Sequence, residues 1–387
     1  MVKTDVCIVG SGPSGAAVSL MLSKHKIHHV VIDKSEFPRD KTCGDGLILH
    51  TFDALQSVNP KLLESFLSHP KFISTAYAKF YTGRKQYIDV SFEYDKPFDP
   101  VFYGKRIDFD AFLVENCVSP YAQQMFGATV VDFEECEDTI RLKLSNGIDV
   151  SAKCVVGADG FHSFVSRKIA GNPIDFSRCS TFVSAYFKDV KPASRHHEAE
   201  IRMVYKDMPL FFYIFPLPNG QANVSLGGLT SEIQKYRIDL KKEVASLIEK
   251  GGFVNYRFED AQQIGNWRGG NIPCNFGHLK VSGNRFLLVG DAAGLANAFY
   301  KEGVGTGMKS GLIAADLIVK ALENDDFSEE FFSQYERALE SEFGKLLKYS
   351  RLILKISKKR RIFNGFIFLF KPVIERKIRS IINKRTY

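Results

Sequence analysis

A glycine-rich turn with an acid downstream is the first place where this chain could do chemistry. Asp5-Val-Cys-Ile-Val9 is a short apolar stretch, Gly10-Ser-Gly12-Pro13-Ser14-Gly15 follows it, and Ala16 to Ser23 continues in small and apolar residues. Strand, turn and helix in that order are the context in which this glycine spacing holds the phosphates of a dinucleotide. Gly10 permits the tight turn, Gly12 leaves room for a pyrophosphate against the backbone, and Gly15 lets the helix pack close to the strand. The helix N-terminus adds free N–H groups and the positive end of its dipole. His29-Val-Val-Ile32 reads as the next strand and ends in Asp33, 18 residues after Gly15, where a carboxylate can accept the hydroxyls of a ribose. Lys34 opens the loop beyond and joins the same candidate set. Taken alone, the turn leaves FAD and NAD(P) both open.

Further residues narrow the chemistry. Lys41-Thr-Cys43-Gly44 lies in a charged, Pro- and Gly-punctuated loop at the edge of the expected sheet. Gly157-Ala-Asp159-Gly160 forms a second glycine turn, and Gly290-Asp291-Ala-Ala-Gly294, followed by Glu302-Gly303-Val304, forms a third. A nicotinamide enzyme needs only the first turn. A tightly held FAD is longer, and asks for a carboxylate at its ribityl chain and a second helix N-terminus; Asp291 and the helix start at 303–311 supply these. In Leu210-Phe-Phe-Tyr-Ile-Phe215, Phe211, Tyr213 and Phe215 share one face of a strand while Phe212 and Ile214 share the other. Both faces are apolar, so the sheet is either buried on both sides or has one face on a core and one on a cavity.

The elements that position these groups alternate between two patterns. Strand-turn-helix units near residues 5, 103, 157 and 284 read as an α/β nucleotide domain, and the last pairs Asn284-Arg-Phe-Leu-Leu-Val289 with Gly290. Leu47 to Leu67 reads as helical, 127 to 156 as a three-strand meander, and Phe109, Phe112 and Leu113 as a helix face turned onto the nucleotide domain. Period-two alternation at Tyr77, Lys79, Tyr81 and Tyr87, Asp89, Ser91, and again between 171 and 270, marks antiparallel strands interrupted by one helix, roughly Ser231 to Lys250. From Phe327 the chain reads as helical to its end, with a break around Gly365 and Pro372. The expected organisation is an α/β, two-domain (α+β) protein. A Rossmann-like domain is assembled from 1–75, 101–170 and 275–326, a substrate-binding antiparallel β-sheet domain from 76–100 and 171–274, and a basic helical region covers 327–387.

Bulk properties exclude other classes. With 387 residues and 45% hydrophobic content, the chain has the length for two domains and the composition of a globular protein. Its longest apolar run near a terminus, Ile362 to Phe370, includes Asn364 and Gly365 and falls short of the roughly 20 residues a spanning helix needs. The first strand begins within about five residues of Met1, leaving no room for a secretory leader, so a cytoplasmic location is expected. The seven cysteines form no C-x-x-C pair, and the histidines (His25, His28, His29; His196-His197) gather without a completing carboxylate or thiol set, so neither disulfide framework nor metal is expected. The net charge of +8 belongs to the tail: residues 345–387 hold 14 Lys/Arg against one acid, Glu375, while the remainder holds 38 basic and 43 acidic residues. An acidic body without a stacking motif argues against nucleic acid. The basic tail, with Leu346, Leu347, Leu352, Ile353 and Leu354 interleaved, suits either the anionic inner face of a membrane or docking on the body.

Taken together, these motifs resemble the FAD-dependent superfamily with the p-hydroxybenzoate hydroxylase fold, over nearly the whole chain. Within it, Lys41-Thr-Cys43-Gly44, Phe211-Phe-Tyr213-Ile-Phe215-Pro216 and Gly290-Asp-Ala-Ala-Gly294 look most like the geranylgeranyl reductase family. The resemblance implies a tightly bound FAD. Gly10, Gly12, Gly15 and Asp33 would hold its adenosine diphosphate, Arg106 would cap it, Asp159 would touch the pyrophosphate region, Asp291 would bind the ribityl chain, and Pro13, Ser14, Lys34, Lys41, Gly290 and Gly294 would join the cofactor-binding set. Cys43 and Gly44 would lie beside the isoalloxazine, with Glu302, Gly303 and Val304 along its other edge, and Phe211, Tyr213, Phe215, Phe299 and Tyr300 in the substrate pocket. Two motifs depart from the family: Y-x-W-x-F-P becomes Phe211-x-Tyr213-x-Phe215-Pro216, and N-P-F-x-G-E-G becomes Asn297-Ala298-Phe299-Tyr300-Lys301-Glu302-Gly303. Both bear on pocket shape and therefore on substrate. A single tryptophan, Trp267, leaves no paired-Trp halogenase motif.

The implied activity is reduction of carbon–carbon double bonds in an isoprenoid or similar long apolar lipid by hydride from reduced flavin. Cys43 and Tyr213 are the candidate catalytic residues, Cys43 for proton delivery or substrate contact, though a structural thiol fits it as well. With no second nucleotide fingerprint, NAD(P)H or another reductant would visit transiently. The alternatives are a monooxygenase working through a flavin C4a-hydroperoxide and a non-enzymatic FAD-binding membrane adaptor.

Overall fold

The glycine turn is held by the strands on either side of it. Val2–Val9 has its last four residues buried and pairs in parallel with His29–Asp33 on one side and Asp149–Gly157 on the other. Such central strands, covered on both faces by helices, are apolar throughout rather than alternating. In the computed structural model, which describes residues 1–83, 86–91, 99–192 and 197–383, they belong to an eight-stranded sheet. Its path runs Ser282–Gly283, Phe286–Leu288, Asp149–Gly157, Val2–Val9, His29–Asp33, Ala122–Phe126, with the hairpin Val130–Glu135 and Ile140–Leu144 attached to Asp149–Gly157. His196, residues 92–98 of the expected sheet domain and 384–387 of the tail lie outside the described residues.

Two helices meet over the turn. Pro13–Lys24 begins with Pro at its first position, where the missing N–H costs nothing, and Ala16 N–H donates to Gly12 O at 2.9 Å. A Cβ on Gly15 would stand 1.9 Å from the carbonyl oxygen of Gly10, and one on Gly311 of helix Val304–Asn324 would stand 2.6 Å from that of Ser14. Glycine at both places is what allows helix, turn and helix to approach.

The second sheet has seven strands in the order Gln262–Pro273, Cys179–Lys188, Gln221–Leu229, Pro209–Leu217, Ala199–Tyr205, Tyr77–Tyr81, Tyr87–Ser91, antiparallel except where Tyr77–Tyr81 runs parallel to Ala199–Tyr205. Its two faces diverge as period two requires. Phe212 and Ile214 join Val224, Leu226 and helix Leu240–Ile248 in one apolar cluster, while Phe211 and Tyr213 join Phe299, Phe363 and Ile367 in another. A third sheet has three strands, in the order Gly46–Ile48, Val101–Tyr103, Ile73–Thr75.

Several elements depart from the reading of the sequence. The expected helix 47–67 begins as the short strand Gly46–Ile48 and is then two helices, Leu49–Val58 and Pro60–Leu67. Asn59 ends the first and caps the second, its side chain accepting from Lys61 N–H, because Pro60 can open a helix and not continue one. The helix 231–250 is likewise two, Thr230–Lys235 and Leu240–Ile248. After Asp159 the chain makes only a single wide turn, Val165–Ile169.

The tail breaks elsewhere than expected. Lys345–Ser357 ends before Lys358-Lys359, and Arg360–Asn383 then passes uninterrupted through both Gly365 and Pro372. Packing outweighs local propensity here: Leu354, Phe363 and Ile367 are buried against the second sheet, which fixes the helix path. No described helix is long and apolar enough to cross a membrane.

The turn's geometry separates two glycines that share a motif. A methyl at Gly12 would meet only the Arg39 Nη2 at 3.3 Å, at the end of a long side chain, whereas one at Gly15 meets fixed backbone. Gly15→Ala should cost about 1–3 kcal/mol in urea unfolding of flavin-free protein, and Gly12→Ala about 0.5 kcal/mol or less; equal losses would contradict this packing.

Candidate active site

The loop after the first strand is fixed before any ligand arrives. Gly10 N–H donates to Ile32 O at 2.7 Å, and the Asp33 carboxylate accepts from Ser11 N–H at 2.8 Å and Ser35 N–H at 2.9 Å. Each Asp33 oxygen keeps a second lone pair, and the residue lines the cavity beyond. Gly12 faces that cavity with nothing but Arg39 near its missing Cβ.

Arg39 is a site residue that motif reading missed. Its Nη1 lies 3.0 Å from Asp110, and Arg106 grips the same carboxylate with Nε at 2.7 Å and Nη2 at 2.8 Å. Two guanidinium groups on one buried carboxylate leave one positive charge uncompensated beside the glycine turn. That complements a pyrophosphate in a place where screening by water is weak. Arg106 is itself buried, and its guanidinium also reaches the Cys43 thiol. Asp159 lines the cavity and closes its own turn, accepting from Ser163 Oγ and Phe164 N–H, both at 2.5 Å; burial pushes its pKa up. Asp291 meets Lys41 at 3.2 Å across 250 residues of chain.

The Cys43 loop is pinned to the second sheet by a buried polar network. Asn223 donates both amide hydrogens, one to Cys43 O and one to Asp45 Oδ2, each at 2.7 Å. Asp45 also accepts from Arg106 N–H at 3.1 Å and from the Tyr186 hydroxyl, and burial, the largest influence, carries its pKa up to about 7. Ser184 and Ser225 complete the set, Ser225 Oγ donating to Asn223 Oδ1 at 2.6 Å. Asp45 stood in the charged loop as one acid among several, with no local sign that its partner lies 178 residues away. Burial pushes the Cys43 thiol up as well, so the sulfur holds its proton at neutral pH.

One cavity of about 2190 Å³ joins these groups to the aromatic face of the second sheet. Gly10, Gly12, Pro13, Ser14, Asp33, Lys34, Lys41, Cys43, Gly44, Arg106, Asp159, Asp291, Glu302, Gly303 and Val304 line it, with Phe211, Tyr213, Phe215, Phe299 and Tyr300. Gly15, Gly290 and Gly294 do not; they lie behind the wall, where Cβ atoms would strike Gly10 O, Ser14 Oγ and Asn275 Oδ1. Tyr213 stacks on Phe182 at 5.5 Å and on Phe215 at 5.1 Å, and Phe215 continues to Tyr103 at 5.0 Å, giving a continuous aromatic wall. Burial raises the Tyr213 phenol, which therefore stays protonated. Glu302 Oε1 accepts from Gly305 N–H at 2.6 Å, capping helix Val304–Asn324 at the cavity.

Residues 3–337 match the family model described as an FAD binding domain. The chain belongs to that family. Its relatives include a menaquinone reductase of Mycobacterium tuberculosis, 24% identical over 328 residues, which span 82% of this chain and 76% of the relative. Another is digeranylgeranylglycerophospholipid reductase 2 of Methanopyrus kandleri, 27% identical over 371 residues, 92% of this chain and 86% of the relative. Among solved structures, a geranylgeranyl bacteriochlorophyll reductase-like protein from Thermoplasma acidophilum superposes with a TM-score of 0.80 at 21% identity, covering 100% of this chain and 93% of that one, and so shares the fold.

The protein is an FAD-dependent oxidoreductase, and its residues fit the cofactor: an open backbone at Gly12, a surplus guanidinium charge beside it, and the Asp33 and Asp291 carboxylates on the same cavity wall.

Asp45 gives the site a pH signature. Its folded pKa of about 7 exceeds the ordinary 3.8, so the native state holds this proton more tightly than the unfolded chain. The stabilisation is complete below pH 3.8 and is lost as the pH rises through about 7. Asp45→Asn should therefore flatten the melting temperature between pH 5 and 8 relative to wild type by several degrees; parallel curves would show that Asp45 does not titrate in that range.

Proposed function

We propose that the protein reduces carbon–carbon double bonds in an isoprenoid or other long apolar lipid. The supporting observation is the continuity of the cavity: the same space that begins at Gly12 and Asp33 runs along the aromatic wall to Ile367, Ile374 and Ile378 of the last helix. Few small polar substrates would need so long an apolar extension.

Gly12, Asp33 and Asp291 would hold FAD along the glycine turn, where its reduced form would supply the hydride and NAD(P)H or another transient reductant would regenerate that form. The side chains have the remaining tasks. Phe211, Tyr213, Phe215 and Phe299 hold the chain and exclude water, so that geometry carries most of the burden for a bond with no oxyanion to stabilise. A proton must reach the neighbouring carbon, and Cys43 Sγ and Tyr213 Oη both hold one at neutral pH. The Asn223 bond to Cys43 O keeps that loop against the sheet. Anaerobic, reduced protein given prenylated lipid should yield a product heavier by two hydrogens. Incorporation of one oxygen under air and NAD(P)H, with no reaction anaerobically, would replace this reading with a monooxygenase.

The tail offers a second surface for the same substrate. Its inner face closes the cavity, and its outer face leaves Phe368, Leu369 and Val373 exposed among lysines and arginines. We infer that this face rests on an anionic membrane from which the lipid is drawn. Phe368 and Leu369 are 74% and 72% exposed, so changing both to Asp leaves the core intact. The double variant should lose co-flotation with vesicles containing anionic lipid while melting as wild type does; undiminished flotation would refute a role for the tail.

A further inference from the structure

Lys301 occupies a position where glycine would be at ease. The loop before it is wound around Asn297, whose Oδ1 accepts from Phe299 N–H at 3.0 Å and Tyr300 N–H at 2.9 Å. Lys301 N–H closes the turn on Asn297 O at 3.0 Å, and Asn297 N–H donates to Glu302 O at 2.7 Å. This leaves Lys301 at φ 61, in the left-handed region, which costs a side-chain-bearing residue about 1–2 kcal/mol. Such strain is kept where the side chain has a use.

The side chain turns into the cavity wall. Nζ donates to Ser180 Oγ at 2.8 Å and to Ala298 O, and stands 5.4 Å above the Phe211 ring. Among the described residues no carboxylate forms an ion pair with it. The Cys274 thiol is the titratable group acting on it, and burial lowers the ammonium to about 8, leaving it mostly charged at pH 7. A half-buried ammonium with two neutral acceptors and no carboxylate partner among the described residues is a poor structural element. One with a free third N–H on a ligand cavity has a ready role.

We propose that Lys301 anchors an anionic oxygen of the substrate, so that the cavity takes an apolar chain ending in a carboxylate or phosphate in preference to a neutral one. This rests on the reading of the cavity as a lipid site. Three probes of one chain test it: geranylgeranyl phosphate, geranylgeranoic acid and geranylgeraniol, with dissociation constants measured on the FAD-loaded protein at pH 7. Wild type should bind one or both acids about tenfold more tightly than the alcohol, as one charge-assisted hydrogen bond would give, and preference for one acid identifies the head group. Lys301→Met should abolish that difference while changing alcohol binding less than about twofold, and Lys301→Arg should retain part of it. Lys301→Gly, freed of strain, should also lose the preference while melting no lower than wild type. Equal binding of the three probes by wild type, no binding of any, or equal weakening of all three in Lys301→Met would overturn the proposal. If the acids bind preferentially and none is reduced, the reductase reading fails and the anchor stands.

Discussion

Asn223 ties the Cys43 loop to the second sheet. Its side chain spends both N–H groups on the Cys43 loop, one on a backbone carbonyl and one on the Asp45 carboxylate, from a strand in the middle of the second sheet. The glycine turn and the aromatic wall are each self-sufficient pieces of packing. This buried clasp, continued through Tyr186, Ser184 and Ser225, fastens the Cys43 loop to the second sheet at the cavity wall. Buried polar networks of this kind are favourable when every member is satisfied, and Asn223 Oδ1 is itself bonded by both serines.

Charge is distributed along the cavity with the same economy. At the nucleotide end, Arg39 and Arg106 share Asp110 and leave a net positive field where phosphates belong. Toward the substrate end, desolvation dominates: it holds protons on Cys43 and Tyr213, raises Asp45, and lowers Lys301. An environment that penalises charge strengthens the few fixed electrostatic contacts and keeps water from competing.

What could be read from the residues alone was what depends on short range. The glycine spacing, the strand before it and the acid after it are local, and so is the period-two separation of Phe211, Tyr213 and Phe215 from Phe212 and Ile214. Arg39, Asp45 and Asn223 escaped because their meaning lies in partners far along the chain, and a charged loop or a polar strand residue gives no hint of them. Lys301 was visible only as a lysine in a motif position that the resembled family fills with glycine. The tail was misjudged for a different reason. Gly365 and Pro372 lower helix propensity, yet a continuous apolar stripe docked on the sheet outweighs two unfavourable residues, since most helix stability in proteins comes from packing.

That docked helix also connects architecture to substrate choice. Phe363 and Ile367 face Phe299 and the second sheet, while Phe368 and Leu369, one step further around, face outward. A helix turns by 3.6 residues, so a wall and an external apolar stripe can be written into one segment without either intruding on the other. The outer stripe and the cavity wall are thus carried by one rigid segment. The Cys43 loop is held separately, by Asn223 of the second sheet.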